Sequence, residues 1–264
     1  MPSSSALRIQ IERSLEHRFP SVLTPKLRTI REVASTGVPE IDELLNGGLP
    51  VGAISELTGP ACSGRTSLAM AFLAQRTWEG HVCAWVDAND ALDPESAAAS
   101  GVSLKQLLWV RCKNAALNLR TEASYRPASR KEKPWARLDQ ALRAVDLLLQ
   151  AGGFAAIVLD LGDSSVEHAN RIPLATWFRF RQAADRTRCS LVVLGKAAYA
   201  QSSAAVVLEC KPMGAEVIGG TVLSCFKYVA QRGRERFSPI TSSTRKTPAS
   251  TWSARAAWKA ERRA

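Results

Sequence analysis

The stretch Gly59-Pro-Ala-Cys-Ser-Gly64-Arg65-Thr66 decides the fold. It fits the phosphate-loop pattern G-x-x-x-x-G-K-[ST] at each position except the lysine, which is arginine here. A candidate strand at 53–57 precedes it, and apolar residues at helical spacing follow it over 66–78, as the motif requires. Backbone amides at such a helix N-terminus bind phosphate oxygens. The sequence therefore predicts an α/β fold with a nucleotide-binding loop formed by Gly59, Pro60, Ser63, Gly64, Arg65 and Thr66.

Arg65 replaces the lysine of the motif, and this exchange affects the chemistry that the loop can support. A lysine supplies a compact charge at the β- and γ-phosphates, whereas the arginine guanidinium is larger and planar, so the exchange is not conservative. The loop amides do not depend on the lysine. Binding of ATP is therefore compatible with the exchange, and chemistry at the γ-phosphate is disfavoured. Asp160 ends an apolar strand and is the candidate acidic residue that would hold Mg²⁺ together with Thr66 if Mg–ATP binds.

Short apolar runs alternate with helical patterns along the rest of the chain. Strands are predicted at 82–86, 156–159 and 191–194, and helices at 138–149 and 175–186. This alternation predicts a mostly parallel sheet flanked by helices. Two further strands, at 205–210 and 220–228, have no helix between them and are expected to extend the sheet antiparallel at one edge.

Composition divides the chain into three parts. Residues 1–34 carry a short helix and an extended linker, with Leu7, Ile11 and Leu15 on one helical face. Residues 35–236 form the core and contain a polar, basic loop inserted at 113–134. Residues 237–264 are rich in Ser, Thr, Arg and Ala, and the sequence predicts a disordered basic tail.

The formal net charge of +11 is concentrated in two segments. Residues 227–264 hold ten basic and two acidic residues, and residues 111–137 hold eight and two. Such segregation favours a polyanionic partner, of which nucleic acid is the usual one, and single-stranded DNA is the candidate. A tail that folds on a protein partner and a merely solvated tail are the alternatives. The candidate contact residues are Arg245, Lys246, Trp252, Arg255, Trp258 and Lys259.

Several classes of protein are disfavoured by composition. No run of 18 apolar residues exists, the N-terminus lacks a secretory layout, and the six cysteines are far apart with no C-x-x-C pair. We therefore expect a cytoplasmic protein with reduced thiols and no membrane partner.

The motifs together resemble the RecA recombinase core over 35–228. The resemblance is carried by an ordered series of motifs: Ser35-Thr36-Gly37, Ile41-Asp42, Gly47-Gly48-Leu49-Pro50, Glu56, Gly59-Pro60, Val86-Asp87-Ala88, Ala91-Leu92-Asp93-Pro94 and Gly101-Val102. It implies a RecA-like P-loop core that binds ATP with Mg²⁺. It also places Asp93 beside the nucleotide, Asp160 on the second Walker strand, and Lys227 at a subunit interface.

Four departures from RecA concern its chemistry. Asn89 stands where the family has its catalytic glutamate, and an amide cannot act as a general base. Ser96 replaces the tyrosine that stacks on adenine, and Lys196 replaces the glutamine that senses the γ-phosphate. The stretch 195–204 is too short for the second DNA-binding loop. These departures argue against an ATP-hydrolysing strand-exchange protein.

A RecA-like chain of this size, with a short N-terminal helix and a basic tail, is similar to the ImuA family. That similarity implies a non-catalytic adaptor in translesion synthesis that contacts RecA and the polymerase-like protein ImuB. The apolar residues Leu7, Ile11, Leu15 and Phe19 are the candidate contacts with RecA. A slow DNA-dependent ATPase and a SulA-like inhibitor of cell division are the alternatives.

Overall fold

The computed structural model describes residues 31–112, 136–162, 164–218, 222–235 and 249–255. The chain divides into two units, Met1–Arg31 and Glu32–Ala264, and the description concerns the second. The predicted N-terminal helix with Leu7, Ile11, Leu15 and Phe19, and the insert at 113–134, lie outside the described residues. So do Arg245, Lys246, Trp258 and Lys259.

An eight-stranded sheet forms the centre of the described unit, in the order β10-β9-β8-β3-β7-β6-β4-β5. Neighbouring strands from β8 to β5 are parallel, whereas β9 and β10 are antiparallel to their neighbours. The strands are β3 (Ile54–Thr58), β4 (Cys83–Asp87), β5 (Leu107–Arg111), β6 (Ala156–Asp160), β7 (Ser190–Gly195), β8 (Ala204–Ile218), β9 (Val222–Glu235) and β10 (Ala249–Arg255). A separate antiparallel pair joins β1 (Val33–Ala34) to β2 (Leu49–Pro50).

Helices cover both faces of the sheet. They are α1 (Pro39–Leu44), α2 (Arg65–Trp78), α3 (Pro94–Ala99), α4 (Ala136–Ala151), α5 (Val166–Asn170) and α6 (Leu174–Thr187), with short 3₁₀ turns at Leu104–Gln106 and Gln201–Ser203. One apolar layer lies under α4 and α6 and contains Trp177 and Phe180. The other lies under α2 and contains Phe72 and Trp85. Every residue of β3, β6 and β7 is buried, as expected for central parallel strands covered on both faces.

The predicted fold class is confirmed in its main features. The sheet is mostly parallel, helices flank it, and β8 and β9 form the antiparallel extension that the two adjacent apolar runs predicted. The parallel arrangement has a consequence for function. The carboxyl ends of β3, β6 and β7 lie side by side, because Thr58 pairs with Gly195 and Asp160 pairs with Leu194.

The prediction of a disordered tail over 237–264 is wrong for Ala249–Arg255. These residues form β10, which pairs with β9 along its whole length, from Ala249 opposite Gln231 to Arg255 opposite Cys225. Trp252 is only 4% exposed and packs into the core. The physical reason is that a single buried indole, together with the free edge of β9, stabilises a segment whose own composition is too polar to predict a strand.

Candidate nucleotide-binding site

The phosphate loop connects the end of β3 to the first turn of α2, and two of its glycines are required by close neighbours. A Cβ atom at Gly59 (φ 153°) would lie 2.2 Å from the carbonyl oxygen of Cys210. At Gly64 (φ 84°) a Cβ atom would lie 2.7 Å from the ring of Tyr228 and 2.8 Å from that of Trp252. The loop is therefore packed tightly against β8, β9 and β10.

The aromatic pair of Tyr228 and Trp252 covers the loop at Gly64. The two residues face each other across β9 and β10, and their ring centroids are 4.7 Å apart. Burial raises the pKa of the Tyr228 phenol above its usual value. The structure thus places Trp252 against the phosphate loop and not on an open tail, so its ring is not available to stack on bases in this arrangement.

Arg65 is 7% exposed, and its guanidinium is bound to backbone carbonyls. Nη1 donates to the oxygen of Gly59 at the start of the loop and to that of Gly195 at the end of β7, the latter at 3.2 Å. Nη2 donates to the oxygen of Gly162, just after β6, at 3.2 Å. The side chain therefore joins three segments that meet at one edge of the sheet.

Asp160 lies beside that guanidinium at the end of β6. Its Oδ1 accepts a 2.8 Å hydrogen bond from the backbone N–H of Gly162. A Cβ atom at Gly162 would lie 2.8 Å from Nη2 of Arg65 and 3.0 Å from Oδ1 of Asp160. The guanidinium and the carboxylate therefore border the same small space, and there is no room in it for even one added carbon.

A cavity of about 390 Å³ extends from the loop towards α3. Four of the residues proposed from the sequence line it together: Arg65, Thr66, Asp93 and Asp160. The remaining lining residues are Ala61, Cys62, Ser67, Met70, Trp85, Ala91, Leu92, Ser96, Ser100 and Gly162. Ser63 is buried inside the loop, and its hydroxyl has no hydrogen-bond partner among the described residues.

Asp93 is the N-cap of α3. Its carboxylate accepts hydrogen bonds from the Ser96 hydroxyl and from the backbone N–H groups of Ser96 and Glu95. These bonds, that of the Ser96 hydroxyl first, hold the pKa of Asp93 below its usual value. Ser96 thus contributes a polar group to the cavity wall.

Asn89 lies in the turn that follows β4. The backbone N–H of Asn89 donates to Asp87, whose carboxylate also accepts the N–H groups of Ala91 and Leu92 and the indole N–H of Trp109. Asp87 is fully buried. It therefore shapes the turn after β4, and the amide of Asn89 cannot take a proton from water.

The turn after β7 is anchored to the core. Glu56 on β3 accepts the backbone N–H groups of Tyr199 at 2.6 Å and Ala200 at 2.9 Å. The Tyr199 side chain is 3% exposed and lies over Gly195, where a Cβ atom would be 2.5 Å from its ring. Sequence reasoning quoted Glu56 only as part of a motif and did not predict this role, because the partners are 143 and 144 residues away.

Lys227 forms an ion pair with Glu216 on the adjacent strand of its own chain. The hydrogen bond to Glu216 raises the pKa of Lys227 and lowers that of Glu216. Both side chains are about half exposed. The lysine proposed as an interface residue is therefore neutralised within the chain.

The ligands for Mg²⁺ would be Thr66 and Asp160, and both line the cavity together with Arg65, whose guanidinium is bound to the carbonyls at the ends of β6 and β7. Within the described residues, no group of three or more His, Cys, Asp and Glu side chains is arranged to hold a metal ion.

No helix in the described part of the chain is long and apolar enough to cross a membrane.

Comparison with known proteins finds similarity to RecA. Residues 5–121 match the RecA N-terminal domain, so the similarity starts well before the motifs at 35. RecA of Ruegeria pomeroyi is 29% identical over 180 residues, which are 62% of this chain and 45% of that protein. RecA of Deinococcus radiodurans is 35% identical over 130 residues, 49% of this chain and 30% of that protein.

RecA of a Nostoc species is 42% identical over 99 residues, 38% of this chain and 28% of that protein. The chain spans less than half the length of each of these relatives. The matched N-terminal domain includes the phosphate loop and Asp93, whereas Asp160 and the strands after it lie beyond its end at residue 121.

Proposed function

We propose that this RecA-like chain is a non-catalytic adaptor in DNA-damage tolerance. Its partners would be RecA, a polymerase-like protein of the ImuB type and, through its basic segments, single-stranded DNA, all in the cytoplasm. The likeness to RecA supports a place in DNA repair and the damage response. The observation that carries the non-catalytic part is the engagement of Arg65 by the carbonyls of Gly59, Gly162 and Gly195.

Loss of ATP turnover follows from two features of the site. A side chain that must leave three carbonyls before it can contact a phosphate provides no preorganised charge for the transition state. The water would also lack a base, since Asn89 is an amide and the nearby Asp87 carboxylate is used by the backbone. We therefore expect no phosphate release above background.

The turn after β7 supports the proposal that this protein does not act as a strand-exchange protein. In RecA-like recombinases a long loop at this place binds DNA, but here Glu56 anchors Tyr199 and Ala200, only four and five residues after β7. Contact with DNA would then rest on the basic residues of 113–134 and 237–264, through their phosphate interactions and with strong dependence on salt.

Contact with RecA is proposed for the N-terminal segment. The double substitution of Leu15 and Phe19 by alanine should abolish co-purification with RecA, whereas Glu16→Ala, a polar neighbour in the sequence, should leave it unchanged. Equal binding by both variants would remove this segment from the interface.

Phosphate release from ATP tests the central claim. Purified protein with Mg²⁺, with and without single-stranded DNA, should release no more phosphate than the Asp160→Asn variant. DNA-stimulated release above that control would favour the slow ATPase and would overturn the adaptor proposal. No described residue favours inhibition of cell division.

A further inference from the structure

We infer that an exposed flank of α6 binds an acidic amphipathic helix of a protein partner. This flank, the α6 face, consists of Leu174, Phe178 and Arg181, which lie at helical positions i, i+4 and i+7. The inference deepens the proposed adaptor role and rests on it. An adaptor that holds RecA through its N-terminal segment needs a separate surface for its polymerase-like partner.

Two large apolar side chains of α6 are exposed to solvent. Leu174 is 51% exposed and Phe178 is 50% exposed, although the same helix buries Trp177 and Phe180 in the core. Residues four apart lie on the same side of a helix, so the two side chains form one apolar surface. Single exposed apolar residues are ordinary in soluble proteins, whereas a patch of them marks an interaction site.

The position of α6 in the fold leaves this surface accessible. Only two residues separate the end of α6 from the start of β7, so the helix runs back along the strand and its first turn lies towards the carboxyl end of the sheet. The segment that follows β7 is held on the sheet by Glu56, and α6 packs against the 3₁₀ turn Gln201–Ser203 within it. Phe178 nevertheless stays half-exposed.

A mainly apolar cavity of about 290 Å³ opens directly before α6. Its apolar wall is formed by Leu138 and Leu142 of α4 and by Ile172 and Pro173, and Arg171 adds a charged group. The residue after Pro173 is the first of α6, so the cavity and the α6 face meet at the amino end of this helix. A partner helix on the α6 face therefore has a cavity beside it for one apolar anchor.

The charge next to this surface is positive. Residues 171–188 hold five arginines and one aspartate. Two of the arginines are neutralised inside the chain, Arg179 by Asp146 and Arg188 by Glu32. The other three are Arg171, Arg181 and Arg186. An acidic partner segment therefore complements the surface.

Arg181 joins the charge to the apolar surface. Its guanidinium carbon lies 5.8 Å from the centroid of the Phe178 ring. A carboxylate that binds this guanidinium would bring the neighbouring apolar side chains of its own helix onto the ring. Acidic and apolar residues about one turn apart are the pattern of an amphipathic helix, which is why we assign this kind of partner.

Charge argues against the other occupants of this surface. A second copy in a twofold contact would place arginine against arginine. Residues 113–134 and 256–264 of the chain are themselves basic. DNA would be attracted by the arginines, but its phosphates gain nothing from the exposed surface of Leu174 and Phe178. A helix that is both acidic and apolar accounts for both features.

Binding of the purified polymerase-like protein to the full chain tests the inference. The double variant Leu174→Ala/Phe178→Ala should raise the dissociation constant at least about tenfold and leave binding of RecA unchanged. Both side chains are half-exposed, so thermal unfolding should change little. The matched control is Trp78→Ala, 81% exposed on α2 at the opposite face of the sheet, which should bind like the natural chain.

Charge reversal tests the acidic character of the partner. Arg181→Glu should also weaken binding of the polymerase-like protein, and the difference from the natural chain should shrink as the salt concentration rises. An Arg181→Glu variant that binds as tightly as the natural chain at low salt would contradict an acidic partner.

A photo-crosslink identifies the segment that is bound. Benzoylphenylalanine in place of Phe178, in a mixture of the chain with RecA, the polymerase-like protein and single-stranded DNA, should crosslink to a segment of the polymerase-like protein that has more acidic than basic residues. The same group in place of Trp78 should not. A crosslink from position 178 to DNA, to a second copy or to residues 113–134 would overturn the inference.

The inference and the adaptor role fail in different ways. Loss of the polymerase-like protein from the double variant, with RecA retained, supports the inference. Unchanged binding, or loss of RecA instead, contradicts only the assignment of the α6 face and leaves the adaptor role standing. Absence of any binding of the polymerase-like protein to the natural chain contradicts both.

Discussion

The effect of a single side chain is clearest at Arg65. The same position in a typical phosphate loop holds a lysine with a flexible ammonium group. Here the planar guanidinium of Arg65 binds the backbone carbonyls of Gly59 in the loop, Gly195 at the end of β7 and Gly162 just after β6. Arg65 therefore acts as a structural crosslink within a motif whose usual task is to hold a ligand. This difference could be suspected from the sequence, but the partners of the guanidinium could not be named.

Gly64 provides a test of the packing around the loop. Gly64→Ala places a methyl group 2.7 Å from the Tyr228 ring at φ 84° and should lower the free energy of unfolding by about 2–4 kcal/mol, as both overpacking and backbone strain contribute. Urea denaturation measures the change.

Gly80 is the matched control for this substitution. Its φ of 88° is close to that of Gly64, but a Cβ atom there meets nothing within 4 Å. Gly80→Ala should therefore lower the free energy of unfolding through backbone strain alone, by about 1 kcal/mol. Equal losses for the two variants would mean that the aromatic rings move aside freely.

Among the secondary-structure elements, β10 changes the interpretation of the chain most. A segment that composition assigns to a basic tail is the edge strand that places Trp252 over Gly64. Any truncation made to study the tail should begin after Arg255, because removal of β10 would expose the loop and the core under it.

Trp252→Ala should destabilise the fold by about 3–5 kcal/mol, because a buried indole is replaced by a cavity. Thr251→Ala, on the exposed face of the same strand, should change the free energy of unfolding by less than about 1 kcal/mol. Unfolding in urea, followed by tryptophan-independent circular dichroism, compares the two. A small effect at Trp252 would show that β10 contributes little to the core.

The turn after β7 depends on one carboxylate. Glu56→Gln would weaken the two hydrogen bonds to the N–H groups of Tyr199 and Ala200, since a neutral oxygen accepts less strongly than a charged one. Hydrogen exchange at these two amides should become at least about tenfold faster. The exposed Glu167→Gln on α5 should leave both amides protected, and protection that persists in Glu56→Gln would mean that the turn is held by other contacts.

At the scale of the whole molecule, the pKa values and exposure of the cysteine thiols show how well the core excludes solvent. Burial raises the pKa of Cys83 and of Cys210 to about 12 and that of Cys112 to about 11, and it also raises that of Cys189. A hydrogen bond with Glu216 raises the pKa of Cys225. Cys62, in the phosphate loop, is the exposed thiol.

A thiol reagent at pH 8 should therefore label one cysteine quickly in the native protein and six in urea. The raised pKa values mean that the buried thiols stay protonated, hence unreactive, until the pH approaches 11 to 12 or the chain unfolds. Cys62→Ser should abolish the fast reaction. Rapid labelling of more than one thiol in the folded state would show that the layers of the core open readily.

The order of the principal strands and helices could be predicted from the sequence because each depends on local pattern. Apolar runs of four or five residues predict β4, β6 and β7, and the glycines of the loop mark the junction of β3 with α2. Four residues of the cavity, Arg65, Thr66, Asp93 and Asp160, could also be proposed from motif and resemblance. The edge strand β5 and the strand β10 were not predicted, since their short, mixed sequences depend on a neighbouring strand for stability.

By itself, then, the sequence determined a parallel α/β core with a RecA-like phosphate loop that has arginine in place of the usual lysine. Only the tertiary structure decided what fills that site. Arg65 and Gly195 are 130 residues apart, and Glu56 and Tyr199 are 143 apart. These contacts exist because parallel strands bring their carboxyl ends to one edge of the sheet, where backbone carbonyls and amides meet whatever side chain the loop provides. No local pattern encodes which of those groups will be within hydrogen-bond distance.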